Sequence, residues 1–499
     1  MYTHGIISRK GVVAMMGKQS GYQHKLFMTG FNLDKRIRTD HPLRNIAATI
    51  DFDFIYHEVK DSYGDNGNVS VPPPVILKMM LLLILYNVRS ERELMDTIPL
   101  RLDWLWFLGY DLDSTIPNHS VLSKARTRWG VNAFKRFFER IVWQCVEAGL
   151  VDGRKLFVDA SLVDANASNN SVVDTHRLTR YLNEGYRRLE QRLDELATEK
   201  TTPANSRYIS STDPDASVTR HHGGKSKLRY KTHRAVDPSH EIITATAITP
   251  GSTDDAEMLK EMIQTHKHNT QKEVDTVVAD SRYGTIDTFL MCHDLGLKAH
   301  IPSLEETQRG SGSKRGIFAQ DAFSYDPETD TFTCPAGEVL KRGKLYPYRS
   351  HYEYRASAKA CAHCHLREHC TRSKTGRTLK RHLRQDELDA ALQQARSRNA
   401  ARDIRDRKHI SECSFARSTR YGYKRSRWRR LWRVRIQDFL IAAIQNIMVL
   451  ITVSRDKLSK SNAQRGQCIQ AQRVTWAGLC CISSFIRYLC RHTISFGLV

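Results

Sequence analysis

The sequence predicts an α/β protein: a mixed sheet covered by helices, preceded by an all-helical N-terminal domain and carrying a small cysteine-rich insert. Three observations carry this. Residues 72–153 hold apolar side chains at three- and four-residue intervals, the period of helices packed on one face. After Gly153 the pattern changes to five short runs rich in Val, Ile, Thr and Tyr, joined first directly and then through helical stretches. Four cysteines, Cys334, Cys361, Cys364 and Cys370, then fall between the last of these runs and a strongly apolar helix, "QDFLIAAIQNIMVLI".

A chain of 499 residues is too long for one core and implies two or three domains. Its formal net charge of +23 favours a polyanionic partner, of which nucleic acid is the usual one. A membrane-surface protein is the competing class, and the run "VILKMMLLLILY" weakens it, being shorter than the roughly 20 residues that span a bilayer and containing Lys78. No membrane partner is therefore expected. The N-terminus shows no charged-then-apolar leader, so the expected location is the cytoplasm. Eleven cysteines fit a reducing compartment better than a disulfide framework.

Taken in order, residues 1–40 carry no periodicity and form an irregular segment, and residues 41–153 form the helical domain. There, "PPPVILKMMLLLILYNV" begins with prolines suited to a first turn, and "SERELMDTI" has Ser90 and Glu93 at capping-box spacing. The basic helix with Lys124, Arg126 and Arg128 reads either as a DNA-reading helix or as the solvated face of a bundle. The strands are "KLFVDAS", "LRYKTHRAV", "EIITATAIT", "VDTVVADS" and "LKAHIPS", within residues 154–303. A charged amphipathic helix is expected from Thr175 to Lys200, followed by a polar loop containing "TDPDAS" and "HHGGKSK", read as exposed and substrate-facing. Residues 304–400 form the insert, 401–454 a helical and basic C-terminal part, and 455–499 an atypical tail.

Asp159 closes the apolar run of the first strand and Asp280 that of the fourth. A single aspartate closing a strand is ordinarily a turn former. Two on neighbouring strands repel each other, and hard Mg²⁺ or Mn²⁺, which prefers carboxylate oxygen, is their natural partner. A third carboxylate, Glu412 in "RKHISECSFARSTRYGYKRSRWRR", lies among bases and reads as an ion-pair partner or as a metal ligand beside phosphate-binding cations. The pair Cys361 and Cys364, with Cys334 and Cys370, has the thiolate content and spacing of a structural Zn²⁺ site, and all-thiolate ligation would leave no open catalytic position. Downstream of Glu412, Arg417, Arg420, Lys424, Arg425, Arg427, Trp428, Arg429 and Arg430 interleave bases with an aromatic ring, as suits phosphate contact and base stacking.

The "VDAS" aspartate, the "YKTHRAVD" strand, the "VVADSRYG" aspartate and the "ISECSF" glutamate before the "AAIQNI" helix resemble, as an ordered set, the DDE transposases of bacterial insertion sequences. More narrowly they resemble the branch with a helical N-terminal domain followed by a ribonuclease H-like catalytic domain. That resemblance implies a metal-binding triad of Asp159, Asp280 and Glu412, with two Mg²⁺ or Mn²⁺ ions, cleaving and joining DNA strands. It also implies terminal inverted repeats and target DNA as partners, a homodimer on paired ends, and a place at the bacterial nucleoid. Where many members carry a base two helical turns after the glutamate, this chain has Ser418 and Thr419 flanked by Arg417 and Arg420. A nuclease without strand transfer and an inactive DNA-binding derivative are the alternatives. Asp164, five residues beyond Asp159, is expected to face solvent.

Overall fold

The N-terminal helices follow directly from their sequence. In the computed structural model, which describes residues 32–64, 69–174, 208–220, 224–309 and 316–455, helix α1 (Pro73–Leu85) starts at two prolines and buries every residue but its last. Even Lys78 is buried, its ammonium 5.3 Å from the ring centre of Phe52 and 5.5 Å from that of Phe107. Helix α2 (Glu91–Thr97) opens on Ser90, whose Oγ accepts the Glu93 N–H at 3.1 Å. The two expected helices that follow meet end to end in α3 (Ser120–Glu147), which breaks at Gly130, a residue at φ +67°.

The strands predicted after Gly153 all form. They are β1 (Lys155–Asp164), β5 (Lys227–Asp237), β6 (Ile242–Pro250), β7 (Thr276–Val278) and β8 (Lys298–His300). The short strands β2 (Val172–Asp174), β3 (Tyr208–Ser210) and β4 (Ser217–Thr219) lie between the first two. Across the main sheet the strands run β6-β5-β1-β7-β8, with β4 also on β5. The pairs β6–β5 and β5–β1 are antiparallel, and β1–β7 and β7–β8 are parallel, which makes the sheet mixed.

Alternation along the strands gives the sheet two different faces. On one, Leu156, Val158, Ala235, Ala245 and Val277 pack against Leu259, Met262 and Ile263 of α4 (Leu259–Thr270), Phe289 of α5 (Ile286–Asp294) and Leu388 of α6 (Gln385–Ala395). The other face carries Lys155, Asp159, Thr232, Arg234 and Thr246, and it meets α7 (Arg398–Thr419) and α8 (Leu431–Arg455) through polar contacts.

Helix α8 is long and apolar enough to cross a membrane by length and composition, yet it is mostly buried and tied to the sheet as a core helix. Asp438 accepts hydrogen bonds from Thr232, Thr246 and Tyr423, and the Asn446 amide exchanges two with the Ile243 backbone, at 2.9 and 2.8 Å. Buried polar groups are kept only where partnered, and these partners fix the helix against β5 and β6.

Two expectations are corrected here. Residues Asp213 to Ser217 of "TDPDAS" are buried rather than exposed. Asp213 accepts from the Tyr230 hydroxyl at 2.7 Å and the Arg430 N–H at 2.9 Å, and Asp215 accepts the Leu431 N–H at 2.8 Å. These carboxylates therefore satisfy free N–H groups where α8 begins. Asp164 does not face solvent alone: Lys227 Nζ and Arg229 Nε each donate to it at 2.8 Å. Burial pushes its carboxyl up, but those two bonds outweigh it and hold Asp164 below the ordinary carboxylate range.

A second sheet, β9 (Ser324–Asp326), β10 (Thr331–Thr333), β11 (Val339–Tyr346), β12 (His351–Arg355) and β13 (Thr378–His382), is wholly antiparallel with neighbours in chain order. It has its own small core of Phe323, Phe332, Leu340, Tyr354, Ala356, Cys370 and Leu379. Of the described residues, 38–51 and 447–455 form a separate compact unit, within which helix Pro42–Thr49 is capped by His41 Nδ1 accepting the Leu43 N–H at 3.3 Å. The charged helix expected within 175–200, part of the polar loop at 221–223, residues 1–31 and the tail from 456 lie outside the described residues.

Candidate active site

The parallel pairing of β1 with β7 brings two aspartates level. Phe157 is the register partner of Val278, so two residues further along each chain Asp159 lies opposite Asp280, where the strands part. Asp280 also does what a strand-closing aspartate ordinarily does: its Oδ1 accepts the Arg282 N–H at 2.9 Å and starts a tight turn. That turn sits close to the chain after β8. A Cβ on Gly284 would lie 2.0 Å from the Pro302 carbonyl oxygen, and the Leu304 N–H bonds the Gly284 oxygen at 2.9 Å, so only glycine fits there.

Sequence reasoning missed two neighbours. Tyr283, in the Asp280 turn, is fully buried, its hydroxyl has no partner among the described residues, and burial together with Asp255, Asp159 and Asp280 drives its phenol far above the ordinary range. Asp255 is itself buried, 2.7 Å from Lys231 Nζ and 3.5 Å from an Arg282 guanidinium nitrogen. No spacing rule reaches Asp255, which lies in the turn after β6 and joins the group only through the fold.

Helix α7 presents a polar stripe to this end of the sheet. Asp403, buried, accepts from Lys155 Nζ at 2.9 Å and pairs with His300 Nδ1 at 2.7 Å. One turn on, the Arg407 guanidinium donates to Asp159 Oδ2 at 2.7 Å, while Asp159 Oδ1 accepts the Ala160 N–H at 2.8 Å. One turn further, the buried Ser411 helps to hold the Asp159 carboxyl down. Burial pushes the Asp159 carboxyl up, and nearby Asp280 adds to this, against the opposing pull of Arg407, Ala160 and Ser411. Glu412 follows Ser411 on the same helix, about 100° further round, and is exposed. Among the described residues its carboxylate has no ion-pair partner, although Arg407 and Lys408 are close in sequence. The structure thus brings Asp159 and Asp280 together and lays the helix bearing Glu412 across their strands, without placing Glu412 in contact with either.

The basic segment divides. Arg427 donates to the carbonyls of Val88 and Arg89, the latter at 3.1 Å, and to Asn87 at 3.2 Å. The Trp428 ring lies under the Arg126 guanidinium at 4.0 Å, its Nε1 donates to Glu91 at 3.2 Å, and Arg126 reaches the same Glu91 at 2.5 Å. These three side chains therefore join the helical region to the C-terminal part, and Arg126 of the basic helix is buried. Arg417 is paired with Glu241. Arg420, Lys424, Arg425, Arg429 and Arg430 are exposed. Lys424 and Arg425 are carried beside the end of β1, where Asp164 N–H bonds the Lys424 oxygen at 3.0 Å and Ser426 N–H the Asp164 oxygen at 2.8 Å.

The four predicted cysteines are free thiols, of which Cys370 lies in the core of the second sheet and Cys334 and Cys361 pack against it. Burial pushes the Cys370 thiol up, opposed by Arg377, and Cys361, Cys334 and Cys364 each add to the upward push, so all four lie within electrostatic reach. Cys334 Sγ accepts the Glu338 N–H at 3.3 Å, and a Cβ on Gly376, at φ +98°, would sit 3.2 Å from Cys361 Sγ. Among the described residues, the group whose ligand atoms all lie within 4.8 Å is instead His293, Asp294 and Glu387. Arg384 already neutralises that group, donating to Asp294 at 3.0 Å and to Glu387 at 2.8 Å.

Two segments of the chain match known families. Residues 31–128 match a family described as "Transposase domain (DUF772)", and residues 333–451 match one described as "Transposase DDE domain". The second match spans the cysteines and Glu412 and begins after Asp159 and Asp280. Both matched families are transposase domains, and such domains imply a nucleic-acid-processing enzyme that binds DNA. Together the two matches support a DDE transposase of an insertion sequence. No curated protein and no solved structure matches the chain.

Proposed function

We propose that the chain cleaves the ends of its element and joins them to target DNA, using Asp159, Asp280 and Glu412 on a ribonuclease H-like sheet. The observation that carries this reading is the placement of Asp159 and Asp280 where two adjacent parallel strands part, beneath the helix that bears Glu412, which has no ion-pair partner among the described residues. Three carboxylates of this kind suit Mg²⁺ or Mn²⁺, which would supply positive charge to the attacking and leaving oxygens of an in-line phosphoryl transfer. The chain's own work is positional. The turn after Asp280 fixes one carboxylate and the Ala160 amide orients another, while the exposed bases Arg420, Lys424, Arg425, Arg429 and Arg430 hold the DNA backbone. Water displaces the 3′ oxygen at the element end in the first step, and in the second the freed 3′-hydroxyl attacks a target phosphodiester and displaces the target's own 3′ oxygen.

The test incubates full-length protein with labelled DNA flanking its gene, a plasmid and Mg²⁺. Covalent joining of the labelled end to plasmid is expected. Cleavage without joining identifies a nuclease, and binding without either an inactive derivative. Bridging two ends calls for a homodimer. Zinc belongs to the same proposal: the thiols of Cys334, Cys361, Cys364 and Cys370 are its preferred donors and would draw together on binding it. Stoichiometric zinc, measured by elemental analysis and lost in Cys364→Ser, is the expected result, and zinc-free, folded wild-type protein would refute the assignment.

A further inference from the structure

Arg407 stands where a cation would be wanted. It donates to Asp159 Oδ2 at 2.7 Å, with 13% of its side chain exposed against 20% for Asp159. Oδ1 is meanwhile engaged by the Ala160 N–H at 2.8 Å, so donors from the chain already reach both oxygens. Other carboxylates nearby are balanced by bases that leave Asp159 alone: Asp255 by Lys231 and Arg282, and Asp403 by Lys155. Among the described residues the buried Arg407 Nε has no partner and the guanidinium bonds Asp159 alone, so leaving Asp159 breaks no other hydrogen bond there.

We infer that Arg407 is a positioning residue that stands in for a metal cation at Asp159. In the cation-free protein it orients and neutralises the carboxylate, and it competes with Mg²⁺ or Mn²⁺ for Oδ2. A guanidinium and a divalent ion at one oxygen repel, so loading requires the guanidinium to move off. Because Arg407 rides on the helix that bears Glu412, the same movement frees a base beside the proposed site for a DNA phosphate. This rests on the assignment of Asp159 and Asp280 to cation binding.

The test needs no turnover. Mn²⁺ is titrated into full-length protein without DNA, and free Mn²⁺ is followed by its electron paramagnetic resonance signal. Arg407→Gln is expected to bind Mn²⁺ about tenfold more tightly than wild type, a change of about 1.4 kcal/mol. Arg407→Lys, which keeps the charge but loses the planar fork, is expected to fall between them. Unchanged or weaker binding in either folded variant overturns the inference and leaves Arg407 a scaffold residue. Asp280→Asn separates the two levels. If it binds Mn²⁺ like wild type, the carboxylate assignment fails and this inference with it. If it loses Mn²⁺ while Arg407→Gln is unchanged, only the role of Arg407 fails.

Discussion

Asp280→Asn is expected to lower DNA cleavage at least about a thousandfold while leaving DNA binding and folding unchanged. The substitution is clean because the asparagine oxygen can still accept the Arg282 N–H that starts the turn. What disappears is the negative charge on an atom level with Asp159. Asp159→Asn is expected to lose as much activity, but it also turns an amide donor toward either the Arg407 guanidinium or the Ala160 N–H. Its effect on the melting temperature should therefore exceed that of Asp280→Asn. Cleavage of labelled end DNA, gel-shift binding and thermal unfolding, measured on the same preparations, check all three parts.

Lys78→Met is expected to stabilise the protein near pH 7 by roughly 3 kcal/mol. Burial in α1 lowers the Lys78 ammonium from 10.5 to about 8, against a smaller upward pull from Asp53. The sign follows from proton counts. Below about 8 both folded and unfolded chains hold the proton, and the full cost of a buried charge is present. Between about 8 and 10.5 the unfolded chain holds more protons than the folded one, so wild-type stability rises with pH across that window. The methionine variant lacks this rise, and its advantage should shrink to little by about pH 10.5. Urea unfolding at both ends of the window reads it out. A variant less stable than wild type near pH 7 would mean that the rings of Phe52 and Phe107 hold the cation more strongly than burial disfavours it.

Much of the fold was legible because its signals are local. The Val, Ile and Thr runs became strands, the two prolines opened α1, and Ser90 capped α2 as its spacing implied. What failed to show depends on partners far away in the chain. Asp213 and Asp215 read as loop residues because the N–H groups they accept belong to Arg430 and Leu431. Arg427 and Trp428 read as a DNA face because nothing in a base-rich run reveals that Val88, Glu91 and Arg126 wait for it. The stripe of Asp403, Arg407 and Ser411 was readable in principle, as one polar residue per turn, but its many charged neighbours hid the period. For the site itself, the strand-end aspartates stood out by position, whereas the joining of Glu412 to them came from family resemblance.

Glu412 is therefore where the proposal is most exposed to refutation, since the helix phase turns Ser411 toward Asp159 and Glu412 one residue past it. The decisive assay gives full-length protein a pre-cut, labelled element end and a plasmid in Mg²⁺ and compares wild type with Glu412→Gln. A single three-carboxylate centre predicts that Glu412→Gln still binds the end but joins it no better than Asp280→Asn does. Wild-type joining by Glu412→Gln would contradict that centre and return Glu412 to the role of a surface carboxylate among bases.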